Sequence, residues 1–301
     1  MKLAVTGGTG FVGARLIEAA LAAGHQVMAL ARRDQDEREG VQWVRGDLHA
    51  RTALERLVDG ADAVVHVAGV INAPDAAGFE HGNVGGTLAM LAAATAGGVS
   101  RFVHVSSLAA REPALSLYGA SKARAEELVR SSGLDWAIVR PPAVYGPGDR
   151  ETLELFRMAK LGLMLMPPRG RLSLIHVDDL AGLLLRLAEP DAPSNLIIEA
   201  DDGRPGGWTH REFARALGTA LGKRPAILSA PGPLLRLAAR ADQLVRRDRA
   251  KLTVDRAAYF SHRNWVVDTK LGPPPGLWQP QVPTDRGLRE TADWYRANGW
   301  L

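Results

Sequence analysis

A tyrosine and a lysine four residues apart, Tyr118 and Lys122, sit in a stretch of helical composition over residues 117–130. Four residues make about one helical turn, so both side chains fall on one face. A free phenol titrates near about 10, too high to exchange a proton readily at neutral pH. A neighbouring ammonium favours the phenolate and brings the pair toward acid–base work. Ser106 and Ser107 end the apolar run before this helix, and a parallel sheet presents its ligands at that end of a strand. Asn83 opens the helical stretch before that run.

A second constellation lies at the start of the chain. Residues 6–13 read TGGTGFVG, with Gly7, Gly10 and Gly13 three apart, between an apolar run and a helical one. In such a loop one glycine permits the tight turn, another lets backbone approach a pyrophosphate, and the last lets helix pack closely on strand. The helix N-terminus adds unpaired N–H groups and the positive end of its dipole. The residue that would select NAD by binding the ribose 2′-hydroxyl is expected near position 31. There the chain has Ala31, followed by Arg32 and Arg33. Two guanidiniums suit a 2′-phosphate, so NADP(H) is the expected cofactor and NAD(H) the alternative.

These residues need a frame. Apolar β-rich runs at 2–6, 26–30, 41–44, 63–67, 102–105 and 136–139 alternate with helical stretches at 11–23, 50–58, 83–96 and 117–130. The pattern predicts α/β architecture, a Rossmann-type doubly wound parallel sheet with a small C-terminal α+β lobe. Residues 1–150 would form the dinucleotide-binding domain. Residues 151–301 would form mainly a substrate lobe, with some segments returning to the sheet. That second part has predicted helices at 152–160, 177–188, 209–221, 233–246 and 284–298, and strands at 172–176, 196–199 and 226–229. Residues 161–166 read either as a flap over the substrate or as a plain buried turn.

Composition narrows the classes. The 301 residues include no cysteine, which excludes disulfides, Cys-based metal sites and thiol catalysis. No run of about 18 apolar residues exists, and the N-terminus lacks a signal-peptide pattern, so a cytoplasmic protein without an integral membrane segment is expected. The net charge is +4, with one basic cluster at Arg246, Arg247, Arg249 and Lys251. A solvated face accounts for it better than nucleic-acid binding. His66 and His104 read as satisfied core or strand-end histidines. Residues 176–179, HVDD, suggest a helix N-cap at Asp178 rather than a metal site, and no metal is expected. The tryptophans Trp265, Trp278, Trp294 and Trp300 read as packing for the small lobe. Residues 233–246 read as an amphipathic helix facing the core, with membrane-surface contact as the alternative.

With these pieces in place, the chain resembles the extended or atypical short-chain dehydrogenases/reductases, the NAD(P)-dependent epimerase/dehydratase-like family. The matching segments are TGGTGFVG (6–13), GDL (46–48), HVAG (66–69), NVGGT (83–87), HVSS (104–107), YGASK (118–122), RPPAVYGPGD (140–149) and HVDD (176–179), together with the closing TADWYRANGWL. The resemblance implies Tyr118 as general acid/base, Lys122 lowering its pKa and bonding the nicotinamide ribose, and Ser107, with Ser106 as alternative, holding the substrate oxygen. Asn83 would support the site. Gly7, Thr9, Gly10, Phe11, Val12 and Gly13 would line the pyrophosphate, Asp47 and Leu48 the adenine, and Val67, Ala68 and Gly69 the ribose. Ser106 would also border the cofactor, and Pro141 and Val144 would flank the nicotinamide.

Hydride transfer between NADP(H) and a carbonyl/alcohol pair on a small-molecule substrate is the implied activity. An epimerase/dehydratase, or a non-catalytic NADP(H)-binding sensor or assembly protein, are the alternatives. A homodimer through residues 83–96 and 117–130 is a further expectation of the resemblance. Two departures stand out. Ser107 and Tyr118 are only 11 residues apart, and Ala143 stands where sugar-nucleotide epimerases often have Asn, which argues against a nucleoside-diphosphate sugar.

Overall fold

Alternating apolar runs and helices fold as the sequence pattern requires. The computed structural model describes residues 1–167, 169–229, 259 and 262–301. In chain order the elements are β1 (Lys2–Thr6), α1 (Phe11–Ala22), β2 (Gln26–Ala31), β3 (Val41–Arg45), α2 (Arg51–Val58), β4 (Ala63–His66) and α3 (Ala76–Phe79). A π-helical stretch, Glu80–Gly85, runs into α4 (Gly86–Ala96). Then come β5 (Arg101–Val105), a 3₁₀ turn Leu108–Arg111, α5 (Leu117–Arg130), β6 (Asp135–Val139) and β7 (Ala143–Tyr145). The rest comprises α6 (Leu153–Lys160), β8 (Leu163–Met166), β9 (Arg171–Leu172), β10 (Leu174–His176), α7 (Val177–Ala188) and β11 (Leu196–Ile198). Last are β12 (Trp208–Thr209), α8 (His210–Ala220), β13 (Ala226–Ser229), β14 (Asn264–Trp265) and α9 (Thr284–Ala297).

The chain divides into two compact units. One comprises Met1–Pro141, Val177–Ala200 and Lys270–Gln279; the other Pro142–His176, Asp201–Thr269 and Pro280–Leu301. In the first, seven parallel strands lie in the order β11-β6-β5-β4-β1-β2-β3. The order reverses between β1 and β4, the crevice where such sheets bind ligands. The inner strands β1, β4 and β5 are buried along nearly their whole length because helices cover both faces. Val64, Met90, Phe102 and Ile138 belong to the core on one face of this sheet.

The second unit has its own core around Tyr145, Phe156, Phe213, Leu288 and Tyr295. Three small sheets frame it: β10-β7, β12-β9-β14 and β13-β8. The Tyr295 hydroxyl donates to the Asp149 carbonyl at 2.6 Å, tying α9 to the turn before α6. Thr209 caps α8 in a reciprocal capping box with Glu212.

Several expectations need correction. Residues 161–166 are neither flap nor buried turn: Leu163–Met166 is a strand that buries Met164 and Met166 and exposes Leu163 and Leu165. The run at 172–176 breaks at Ser173, whose hydroxyl bonds Asp201 at 2.5 Å, leaving separate strands β9 and β10. Asp178 does not precede its helix; it lies in the first turn of α7 and takes a bidentate bond from Arg15. Trp278 belongs to the first unit, where its ring N–H bonds the Asp179 carbonyl. Helix 233–246 and the basic cluster at Arg246, Arg247, Arg249 and Lys251 lie outside the described residues. Among the described residues, no helix is long and apolar enough to cross a membrane.

The sheet buries two histidines in register on neighbouring strands, His66 and His104, with ring centroids 5.4 Å apart. His66 is satisfied: Nδ1 meets Thr6 Oγ1 at 2.7 Å and Nε2 meets Thr87 Oγ1 at 3.2 Å. His104 is not, since both of its ring nitrogens are buried without a hydrogen-bond partner among the described residues. Burial, aided by the Lys122 ammonium, pushes His66 down to about 3 and His104 well below its usual range. An unfolded histidine protonates near about 6.5, so below that pH the unfolded chain binds more protons. Stability present at neutral pH is therefore lost as pH falls toward the folded values. The unfolding free energy from urea titrations should decline from about pH 6.5 to about pH 4, by about 1.4 kcal/mol per unit for each ring at the steepest. His104→Leu should flatten this slope without lowering the neutral-pH midpoint, since the ring it removes has unmet polar atoms. An unaltered slope would show that the two rings do not govern the acid limb.

Candidate active site

The glycine loop crosses the C-terminal end of the sheet between β1 and α1. Gly7 has φ +74°, and a Cβ there would come within 2.8 Å of the Ala68 amide nitrogen. Only glycine accommodates both the left-handed backbone and that approach. Its carbonyl receives the Gly10 amide at 2.9 Å, closing the turn. A Cβ on Gly13 would collide with the same carbonyl, so α1 packs directly on the loop. Gly10 is the N-cap of α1 and provides no side-chain cap for the first-turn N–H groups. Thr9 and Gly10 are exposed, while Phe11 and Val12 are half-buried on the first turn. A bare, glycine-lined helix start at the switch point fits a dinucleotide pyrophosphate.

The other positions differ in their surroundings. The Ala68 amide donates to Thr6 Oγ1 at 3.2 Å, which fixes Val67, Ala68 and Gly69 against the end of β1. Gly69 lies beside Asn83 and Lys122: a Cβ there would sit 3.1 Å from Asn83 Oδ1 and 3.7 Å from Lys122 Nζ. Arg32 and Arg33 follow β2, both exposed and neither in an ion pair among the described residues. Asp47 is exposed and accepts the His49 amide, whereas Leu48 packs on Gly86 of α4. Pro141 ends the first unit, with its carbonyl accepting the Leu108 amide at 3.1 Å. Val144 lies in the second unit, on β7.

Tyr118 is placed by a capped helix start. Ser116 is the N-cap of α5, taking the Gly119 amide at 2.9 Å, and Gly119 lets α5 press on the 3₁₀ turn, where a Cβ would stand 2.6 Å from the Ala109 carbonyl. Ser107 caps that 3₁₀ turn through the Ala109 amide. The two caps bring the Ser107 hydroxyl into hydrogen-bonding reach of the Tyr118 phenol. Lys122, one turn further on, donates to the Val105 carbonyl at 2.7 Å and is buried.

Burial pushes the Tyr118 phenol above its ordinary value, and the Ser107 hydroxyl offsets part of that. Burial brings Lys122 itself down to about 8, with Glu126 opposing. The phenol is thus held in its protonated form.

Asn83 acts on backbone and helix at once. Its Oδ1 accepts the Val70 amide at 2.6 Å, and its Nδ2 reaches the Val70 carbonyl at 3.0 Å and Ser121 Oγ at 2.8 Å. The amide therefore clamps the loop after β4 to α5, beside Lys122.

Sequence reasoning missed a buried acid–arginine network under Ser106. Ser106 Oγ donates to Glu126 Oε1 at 2.5 Å, and Arg140 binds both Glu126 oxygens at 2.8 and 2.6 Å. Arg140 also reaches Glu199 at 3.5 Å, and Arg111 meets Glu199 at 2.9 Å. The side chains of Glu126 and Glu199 are 2% and 0% exposed. Charged residues closing apolar strand runs, Arg140 after 136–139 and Glu199 after 196–198, were the available signal. The network commits the Ser106 hydroxyl to Glu126 and joins the ends of β5, β6 and β11 to α5.

Sheet order and glycine cradle, with the family match that follows, make this an enzyme of the short-chain dehydrogenase/reductase type, of the extended form. A sequence model described as the NAD dependent epimerase/dehydratase family matches residues 3–198, and the chain belongs to that family. Among its relatives, a Caulobacter vibrioides protein named ceramide reductase is 38% identical over 99% of this chain and 96% of its own length. A Stigmatella aurantiaca protein named 4-hydroxy-2-methyl-3-oxo-4-farnesyl-3,4-dihydroquinoline-1-oxide ketoreductase is 32% identical over 68% of this chain and 69% of its own. Of solved structures, the Bordetella bronchiseptica enzyme WbmG in complex with NAD has the same fold. Its TM-score is 0.76 at 20% identity, covering 100% of this chain and 96% of that one.

The network gives a stability prediction. Glu126→Ala leaves Arg140 buried without its bidentate partner and should cost about 3–5 kcal/mol in chemical denaturation. Adding Arg140→Leu should recover part of that loss in a double-mutant cycle. Strict additivity of the two losses would refute the coupling.

Proposed function

We propose that this enzyme is an NADP(H)-dependent reductase of a ketone carried on a molecule with a long apolar portion. The observation that carries this reading is the Ser107–Tyr118 pair at the sheet's C-terminal end, in a chain whose near-full-length relative is named a ceramide reductase. The ketoreductase relative, whose named substrate bears a farnesyl group, supports the same class. Ala143, in the place where sugar-nucleotide epimerases often have Asn, favours it over epimerisation.

NADPH, when bound, supplies the hydride for the carbonyl carbon. The residues proposed to hold it are Gly7, Thr9, Gly10, Phe11, Val12 and Gly13 at the pyrophosphate, with Arg32 and Arg33 on the 2′-phosphate. Asp47 and Leu48 would serve the adenine, Val67, Ala68 and Gly69 the ribose, and Pro141 and Val144 the nicotinamide. Ser107 holds the carbonyl oxygen with its hydroxyl. Tyr118 donates its phenolic proton to that oxygen as the alcohol forms. The raised phenol suits this direction of reaction, since reduction consumes the protonated form. Lys122, brought to about 8 by burial, is positioned one turn away to support the phenolate left behind. Asn83 is a positioning residue for the loop and for α5. The second unit serves as the main substrate-binding part.

Two measurements test this. Fluorescence titration should show NADPH binding more tightly than NADH. Arg32→Ala with Arg33→Ala should weaken NADPH by about tenfold to a hundredfold while leaving NADH unchanged, as expected for loss of charge-assisted bonds. Equal affinities in the parent protein would discard the arginine assignment. Tyr118→Phe should retain the NADPH affinity and lose about 10²–10⁴ in turnover of a long-chain ketone. Full turnover in that variant would remove Tyr118 as the acid. Substrate isomerisation without net NADPH consumption would turn the reading to an epimerase.

A further inference from the structure

The second unit exposes leucines on one side of a two-stranded sheet. Strand β8 alternates: Met164 and Met166 point into the core, while Leu163 and Leu165 point out and are 49% and 47% exposed. Strand β13 pairs with it in parallel, Ala226 beside Leu163 and Leu228 beside Leu165. Paired residues share a face, so Leu228, at 54% exposure, extends the same apolar surface. Leu161, in the turn that leads into β8, is 84% exposed. Single exposed leucines are ordinary, but a contiguous group on one sheet face marks an interaction surface.

Cations stand at the β13 edge of this sheet. Arg211 and Arg215 stand one turn apart on the exposed side of α8, and together with Lys223, Arg224, Ala226 and Ile227 they line a groove. Ala226 is therefore common to the groove and the leucine face, and its amide donates to the Gly162 carbonyl between Leu161 and Leu163. Among the described residues, no carboxylate lines the groove and Arg211, Arg215 and Arg224 form no ion pair. Lys223 reaches the Lys160 carbonyl, which adds a further exposed cation at the end of α6.

We infer that this face docks on the surface of an anionic phospholipid bilayer, with Leu161, Leu163, Leu165 and Leu228 entering the headgroup–acyl boundary. Arg211, Arg215, Lys223 and Arg224 bind the lipid phosphates. Apolar insertion flanked by cations is the chemistry of interfacial attachment, and each half is too weak alone. A protein partner would need anionic groups and a greasy patch arrayed in one plane, whereas a bilayer offers phosphates and apolar chains over any area. The inference does not rest on the reaction proposed above.

The test is co-sedimentation of the full chain with vesicles of phosphatidylcholine alone and of phosphatidylcholine with phosphatidylglycerol in equal parts. Binding is expected to the mixed vesicles, far weaker to the neutral ones, and declining with salt. Leu163→Ser with Leu165→Ser should reduce binding about tenfold or more. Arg211→Gln with Arg215→Gln should do the same by removing headgroup contacts. Both variants should keep the parent's melting temperature and NADPH affinity, which separates loss of docking from misfolding and from failure of the catalytic reading. Three outcomes would overturn the inference. One is no binding to either vesicle. Another is binding unchanged in both variants, which would place attachment elsewhere in the chain. The third is a dimer in sedimentation velocity that the leucine variant converts to monomer, which would make a second copy the occupant.

Discussion

Backbone meets backbone at one point on which the first unit depends: Gly7 against Ala68. A side chain at position 7 would need a left-handed conformation and would strike the Ala68 amide. With glycine there, β1 and β4 can run as immediate neighbours and diverge only past their ends, which is what opens the crevice of a doubly wound sheet. Thr6 secures the same junction by accepting the Ala68 amide and meeting His66. That histidine in turn touches Thr87 on α4. A chain of small contacts thus runs from the phosphate cradle through the sheet to the helix behind it.

Around the Ser-Tyr-Lys group the controlling force is charge taken out of water. Glu126, Arg140, Glu199 and Arg111 are held away from solvent to different degrees, and a network of this kind is tolerable only when each member is matched. Its geometry fixes where β5, β6 and β11 end, and hence where Ser107 begins its turn. Ser106 is drawn into the network, which leaves its neighbour to face Tyr118. Burial raises the phenol above its ordinary value, and the Ser107 hydroxyl offsets part of that.

Much of this was legible in the chain. Strand and helix alternation through residue 139 named the sheet, because continuous apolar runs between helical stretches have few other solutions. Spacing placed Tyr118 and Lys122 on one helix face. The second unit was harder, since its strands are two to four residues long and their pairing is set by contacts distant in sequence. Ser173 splits a run that looks unbroken, because its hydroxyl is drawn to Asp201. Residues 161–166 hid their nature for another reason. Leucine and methionine are equally apolar, so alternation between an inward and an outward face left no mark in hydropathy. The Glu126–Arg140 pairing was invisible for a simpler cause: nothing in linear spacing says that residues on a helix and a later strand will meet in the interior.

The π-helical stretch at Glu80–Gly85 resolves a conflict of phase. Downstream, α4 must keep Thr87 turned to His66 and Gly86 turned to Leu48. Upstream, Asn83 must face Val70 and Ser121. In an unbroken α-helix each residue advances about 100° around the axis, so fixing one set of contacts dictates the other. A wider turn slips the two segments against each other by a fraction of a revolution. It works as a mechanical coupling between two shafts that need different settings: the sheet-facing side can be tuned by mutation while the clamp on the loop holds its angle. Deleting one residue there would force the two settings back into lockstep.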